Sequence, residues 1–387
     1  MYFINHRLDS IIFSAVKFIL WLTLVFGTSF TKYKLFENLY LYEFILIIVS
    51  FISIIGLSKI NLTGGVLIFI IYGLSSIAIS IIKGNPVEYV LRQGMIIGYL
   101  AIAFLLYERI KHKSKQLLNF IIKLSKAGFI IQVIYLLFLL YLGTNIFEGR
   151  HYYSPMIMLL LPVFATDIVL GNNTLFEKTT WFIIILLVSL TIGHSSSTLS
   201  ILTVLFGVFI WKIKPKQFMS ALLIIAFGVG MQYFLNPNFS DINANFRIWY
   251  WGVAFSNTFD SSFLFGNGFG VPFVSDLQIE EFIERFGGSN DFLSSPSEKY
   301  VKAYHNSFIT LFFHVGIIII LLLKPYVTGL KNLIFNTKDK NQVYLIILLL
   351  SSSVWAAFNV VLELPHSSLL FWLIFLLCTT KKIVYEK

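Results

Sequence analysis

An all-α, polytopic bundle of about twelve transmembrane helices is the fold this sequence predicts, and three observations predict it. Of the 387 residues, 57% are hydrophobic and 12% are charged, an apolar load that a water-soluble domain does not carry. Apolar runs near the ~20 residues that cross a bilayer as a helix recur along the whole chain. The ten-residue alternation of polar and apolar positions that marks a transmembrane barrel is absent.

The runs fall at 11–30, 39–57, 62–82, 89–107, 117–142, 152–170, 180–193, 198–213, 217–235, 307–325, 342–360 and 364–380. The first is flanked by His6 and Arg7 and has no small-residue cleavage site after it, so it reads as a retained helix and not as a signal peptide. The seventh is the shortest. Gly64, Gly65 and Gly73 would let the third approach a neighbour closely. No internal repeat is visible, which speaks against an inverted-repeat transporter.

Lysines and arginines set the orientation. Arg109, Lys111, Lys113 and Lys115 follow span four, Lys212, Lys214 and Lys216 follow span eight, and Lys331, Lys338 and Lys340 follow span ten. With Lys381, Lys382 and Lys387 they lie on one side, which the positive-inside rule makes cytoplasmic. The net charge of +10 therefore belongs to membrane topology and is not a nucleic-acid footprint. Cys378 is the single cysteine, so no intrachain disulfide can form.

Three parts follow: helices one to nine in 1–235, a polar segment at 236–306, and helices ten to twelve in 307–387. A connection as long as 236–306 is usually functional or disordered, and this one is too aromatic and glycine-punctuated to be disordered. It faces outward in the scheme above. From Ala244 to Thr258 its sequence is helix-compatible, with Arg247, Trp251 and Thr258 on one face and Phe246, Trp249, Tyr250 and Val253 on the other. Such a helix is expected to lie in the interface over the bundle.

Several residues carry chemistry. Arg92 lies inside span four, where a cation is costly unless it snorkels, pairs or lines a cavity. Arg150 and His151 precede span six, and an arginine beside a helix start is an anion site, or else a member of an interfacial belt with Tyr152 and Tyr153. His194 opens a hydroxyl run, Ser195-Ser196-Ser197-Thr198, that could bind a ligand or satisfy helix-end amides. Phe265-Gly266-Asn267-Gly268-Phe269-Gly270 is a glycine turn with no preceding strand to make it a dinucleotide site. Tyr304-His305-Asn306 stands at the start of span ten, where an imidazole suits proton abstraction at neutral pH. The sequence has no Asp-x-Asp, so no carboxylate metal site is expected.

Together these features resemble the O-antigen polymerase and ligase superfamily. The resemblance rests on Arg247-x-x-x-Trp251, the glycine turn, and His305-Asn306-x-x-Ile309 followed by Gly316. Its topology covers the whole chain, and its motifs cover roughly the last 150 residues. It implies a glycosyltransferase similar to the type C class, multi-pass in the bacterial inner membrane, with its active site facing outward. The donor would be an undecaprenyl-pyrophosphate-linked oligosaccharide. Arg150 and Arg247 would hold the pyrophosphate and His305 would be the catalytic residue. Arg92, Trp251, Gly266, Gly268, Gly270, Tyr304 and Asn306 are the further substrate-binding candidates. No cofactor and no metal are expected. Membrane lipid and a chain-length regulator protein are the expected partners, and nucleic acid is not one. Many relatives carry an arginine in the stretch that here reads His194-Ser195-Ser196-Ser197. A repeat-unit polymerase is the reading adopted, with a ligase acting on lipid A core and a transporter of a lipid-linked or anionic substrate as alternatives.

Overall fold

The computed structural model describes residues 2–36, 39–55, 64–212, 242–259, 262–286, 297–335 and 339–379. The expected ninth span, at 217–235, lies outside them. The described chain is mostly helical: α1 Tyr2–Thr31, α2 Leu41–Ile54, α3 Gly64–Ile82, α4 Val87–Ile110, α5 Ser114–Tyr141, α6 Ile157–Leu170, α7 Leu175–Thr191 and α8 Ser195–Lys212. After the polar segment begins come α9 Ile242–Phe259, α10 Asp276–Phe286, the single turn α11 Glu298–Val301, α12 Ser307–Val315, α13 Lys324–Ile334, α14 Lys340–Ala357 and α15 Ser368–Thr379. A short antiparallel pair, Lys34–Phe36 with Leu39–Tyr40, interrupts the all-α expectation.

Four stretches are long and apolar enough to cross a membrane: Arg7–Thr31, Gly64–Ile82, Val87–Tyr141 and Ser195–Lys212. A fifth is the pair Ser307–Leu322 and Lys324–Ile334, bent by 46°. The twelve-span count is therefore not reached among the described residues. Val87–Tyr141 is counted as one stretch although a 3₁₀ turn, Lys111–Lys113, divides it where two spans were expected. Other expected spans come out short. Chain around Pro155 and Pro365 stays out of the regular helices α6 and α15, which keep 14 and 12 residues.

Helix ends are marked by local chemistry. Thr174 and Glu177 form a capping box at α7, with each side chain accepting from the other residue's amide. Asp339 caps α14 by accepting from Asn341 N at 3.0 Å. The bundle then packs α14 against α8, α6 and α15, and α4 against α15, α3 and α2, around one continuous apolar core.

The surface of these helices is apolar too. On α3 the exposed stripe is Ile68, Ile71, Leu74, Ile79 and Ile82, and on α5 it is Ile130, Ile134, Leu137 and Phe138. A helix on a water-soluble protein puts polar residues there, so these faces fit hydrocarbon.

The described part of the polar segment has a core of its own. Tyr250, Val253, Ala254, Phe273, Val274, Tyr304 and Phe313 are buried together, with Phe246 and Trp249 packed against them. The aromatic face of α9, expected over the bundle surface, is thus buried within the segment and against α12.

The glycine turn fastens this unit to the bundle. Amides of Gly266, Asn267, Gly268, Phe269 and Gly270 donate to Ser262 O, Phe313 O, His314 O, Ser80 Oγ and Gln93 Oε1. Gln93 returns two bonds, to Val271 O at 2.9 Å and Tyr300 O at 2.8 Å. Gly266 has a φ of 71°, and a methyl there would overlap the His314 carbonyl. Gly266→Ala should therefore lower the thermal unfolding midpoint of the purified protein. The left-handed backbone alone costs a non-glycine residue about 1–3 kcal/mol. Gly252→Ala on α9, where an added methyl meets nothing within 4 Å, should leave the midpoint level or raise it.

Candidate functional site

The candidate site is built where α7 ends and where α8 and α12 begin. His305, just before α12, has a φ of 52°, making it the one non-glycine residue with left-handed backbone among the described residues. Such a conformation persists only where its surroundings hold it, and here they do so on both sides. Its amide donates to Ala303 O at 2.8 Å. Tyr304 before it is fully buried, gives its hydroxyl to Phe273 O at 2.5 Å, and accepts the Trp251 indole N–H on its carbonyl at 2.9 Å. Asn306 after it caps α12, accepting from Phe308 N at 3.0 Å and Ile309 N at 3.1 Å.

Trp251 therefore ties α9 to the His305 turn. Arg247 stands one helical turn earlier on the same face of α9, and the ring of Phe246 lies 6.1 Å from the His305 ring. Tyr250 fixes the same turn from another side, donating to Lys302 O at 2.5 Å.

A second strand of chain arrives from between α5 and α6. Gln132 clamps it by donating to His151 O at 2.7 Å and accepting from Tyr153 N at 2.9 Å. Ser154 donates to Thr23 O and Tyr153 to Val25 O, both on α1 just before its bend at Gly27. Arg150 is brought to the α7–α8 turn because Gly193, with φ 70°, has no Cβ to collide with the Gly149 carbonyl. His194 follows at once, between the ring of Tyr152 at 6.1 Å and the edge-on ring of Trp355 at 5.6 Å.

The electrostatics join these pieces. Burial, then the positive charges of Arg247, Lys302 and Arg150, push the His305 imidazole down to about 4. Burial, then Arg150 and Arg247, push His194 down to about 4 as well. The same two guanidiniums thus act on both imidazoles. At neutral pH both rings are uncharged and able to accept a proton or donate a hydrogen bond, beside two fixed positive charges that favour an anion.

The sequence-predicted residues divide accordingly. Arg150, Arg247 and His305 are brought together, with Trp251 and Asn306 holding the frame. Tyr304 faces the segment's core, and Gly266, Gly268 and Gly270 dock the segment on the bundle. Arg92 is engaged elsewhere: it pairs with buried Glu43 at 2.8 Å, donates to Glu363 O at 3.3 Å and lies over the Tyr40 ring. Glu43 also accepts from Tyr99 at 2.6 Å. Arg92 is not among the charges that act on the two imidazoles.

No family model, curated protein or solved structure matches this chain.

The sequence leaves His194 open between a ligand role and a helix-end role and carries no signal for Glu363. Burial raises the Glu363 carboxyl to about 7 although the Ser307 hydroxyl donates to it at 2.6 Å. The backbone amides of Leu362 and Glu363 also face this buried carboxyl. Thr310, one turn along α12, faces the carboxylate, but its hydroxyl proton goes to Asn306 O at 3.0 Å. Nothing in the local sequence around Glu363 marks it, because its partner Ser307 is distant in the chain. Among the described residues no group of three or more His, Cys, Asp or Glu side chains could hold a metal ion.

Proposed function

We propose that this chain is a polymerase of lipid-linked oligosaccharide repeat units, transferring glycan from an undecaprenyl-pyrophosphate donor to a sugar hydroxyl. The observation that carries the reading is the action of Arg150 and Arg247, from two separate segments, on His305. A glycosyl pyrophosphate has a leaving group already able to carry its charge, so it needs countercharge and not protonation, and a guanidinium supplies this with two donors. In the proposed step the acceptor oxygen bonds to the anomeric carbon while the bond from that carbon to the pyrophosphate oxygen breaks. The polyprenyl pyrophosphate leaves against the arginines, and the acceptor hydroxyl proton goes to His305. The anion also offsets Arg150 and Arg247, two of the three positive charges that act on the imidazole, so the bound donor strengthens the base that it needs.

Burial, then Arg247, Lys302 and Arg150, push the His305 imidazole down to about 4. The acid limb of kcat/KM, which reports the free enzyme, should therefore fall well below pH 6.5, with activity lost only as the imidazole protonates. A limb at 6.5 would place His305 in open solvent.

The proposed activity is tested by deleting the gene and separating the surface glycan on a gel. Single-repeat caps are the expected result. Long polymer left unattached would make the chain a ligase, and precursor trapped in the cytoplasm would make it a transporter. For sidedness, Ser275→Cys in a Cys378→Ser background should label with an impermeant maleimide from outside the cytoplasmic membrane. Labelling only from the cytoplasm would invert the scheme.

A further inference from the structure

The link between α14 and α15 carries none of the sequence-predicted residues, yet it touches both histidine-bearing helix starts. Asn359 Nδ2 donates to Ser196 Oγ at 2.7 Å, two residues past His194, and to Trp355 O at 3.1 Å. Trp355 is the residue whose ring stands edge-on to His194. On its other side, Asn359 O lies 3.1 Å from Ser307 Oγ, two residues past His305. Ser307 is fully buried and accepts from Val361 N at 2.8 Å and Leu362 N at 3.1 Å. Both its lone pairs are thereby filled, leaving its hydroxyl proton for Glu363 Oε2 at 2.6 Å or for Asn359 O.

We infer that Asn359 is a positioning residue that sets the start of α8 against the start of α12, and so fixes His194 relative to His305 around the two arginines. The inference rests on reading that site as an anion site. The residue type suits the task. A primary amide has two N–H donors, and here they meet two acceptors, Ser196 Oγ and Trp355 O. No single-donor or apolar side chain of this size can hold both. His305 has restraints of its own through Tyr304 and Asn306, whereas His194 has ring contacts and the turn at Gly193. Loss of the Asn359 amide should therefore release His194 and leave His305 in place.

The test uses the full chain in lipid nanodiscs with isotopically labelled histidine, the His194 and His305 signals being assigned from His→Gln variants. Asn359→Leu keeps size and adds no charge. Ser196→Ala removes one acceptor from the other side, and serves if Asn359→Leu fails to fold. Two readouts are taken: the titration midpoint of each imidazole without ligand, and the shift of each on adding inorganic pyrophosphate. In either variant the His194 midpoint is expected to rise toward 6.5 while that of His305 stays. Pyrophosphate should bind about three- to tenfold more weakly, the usual worth of a neutral hydrogen bond. The double variant should be no worse than Asn359→Leu, since the bond to Ser196 is already lost there. Unchanged midpoints and unchanged pyrophosphate affinity in folded variants would overturn the positioning role. A native protein whose histidines ignore pyrophosphate, but whose His194 midpoint still moves in Asn359→Leu, would instead overturn the anion reading and leave the positioning intact.

Discussion

His305→Gln should lower turnover by about 10²–10⁴, the usual worth of a positioned proton acceptor, with donor binding nearly intact. Glutamine keeps the shape and one hydrogen bond but cannot take the proton. His305→Ala should be equally poor. The left-handed φ of 52° adds a second, separable effect. Any non-glycine replacement keeps the strain that His305 already bears, so Gln and Ala should fold about as well as the native chain, and His305→Gly should be the more stable and still inactive. Activity per folded molecule in purified variants decides the matter. Substantial turnover in His305→Gln would remove it as the base. Glu363, whose carboxyl burial pushes up to about 7 and which meets Ser307 at this helix start, would then be the next residue to replace.

Arg150→Lys and Arg247→Lys should each reduce kcat more than they raise KM, because charge grows on the leaving pyrophosphate in the transition state. An ammonium keeps the charge but not the planar pair of donors, so a loss of about tenfold or more is expected for lysine. The Ala variants should lose on the order of 10²–10³, as found when one preorganised donor is removed from a developing anion. Since both guanidiniums act on the same imidazoles, the two effects should be non-additive, and the double variant should fall short of the product of the singles. Full activity in the lysine variants would reduce these arginines to interfacial anchors. Each Ala variant should also raise the His305 titration midpoint by removing part of the repulsion, a readout that does not depend on turnover.

Local features are legible in the sequence. Apolar runs identify helices such as α1, α3 and α8, because a hydrocarbon environment demands about 20 apolar residues and internal hydrogen bonding. The i, i+4 spacing of Arg247 and Trp251 placed both on one face of a helix expected at 244–258 and found at Ile242–Phe259. Capping pairs such as Thr174 and Glu177 lie three residues apart and are equally legible. Contacts between partners far apart in the chain emerge only on packing. Arg92 reads locally as a snorkelling or functional cation, and its ion pair with Glu43 depends on how α2 packs against α4. The glycine turn reads locally as a turn without known partners, whereas its amides are taken by Ser80, Gln93 and the end of α12. His194 reads as one more polar residue in a hydroxyl run until the missing Cβ of Gly193 lets Arg150 reach it. Hydrophobic periodicity records how much of each helix is buried but not against which neighbour, so the meeting of Arg150, Arg247, His194 and His305 exists only once the helices are packed.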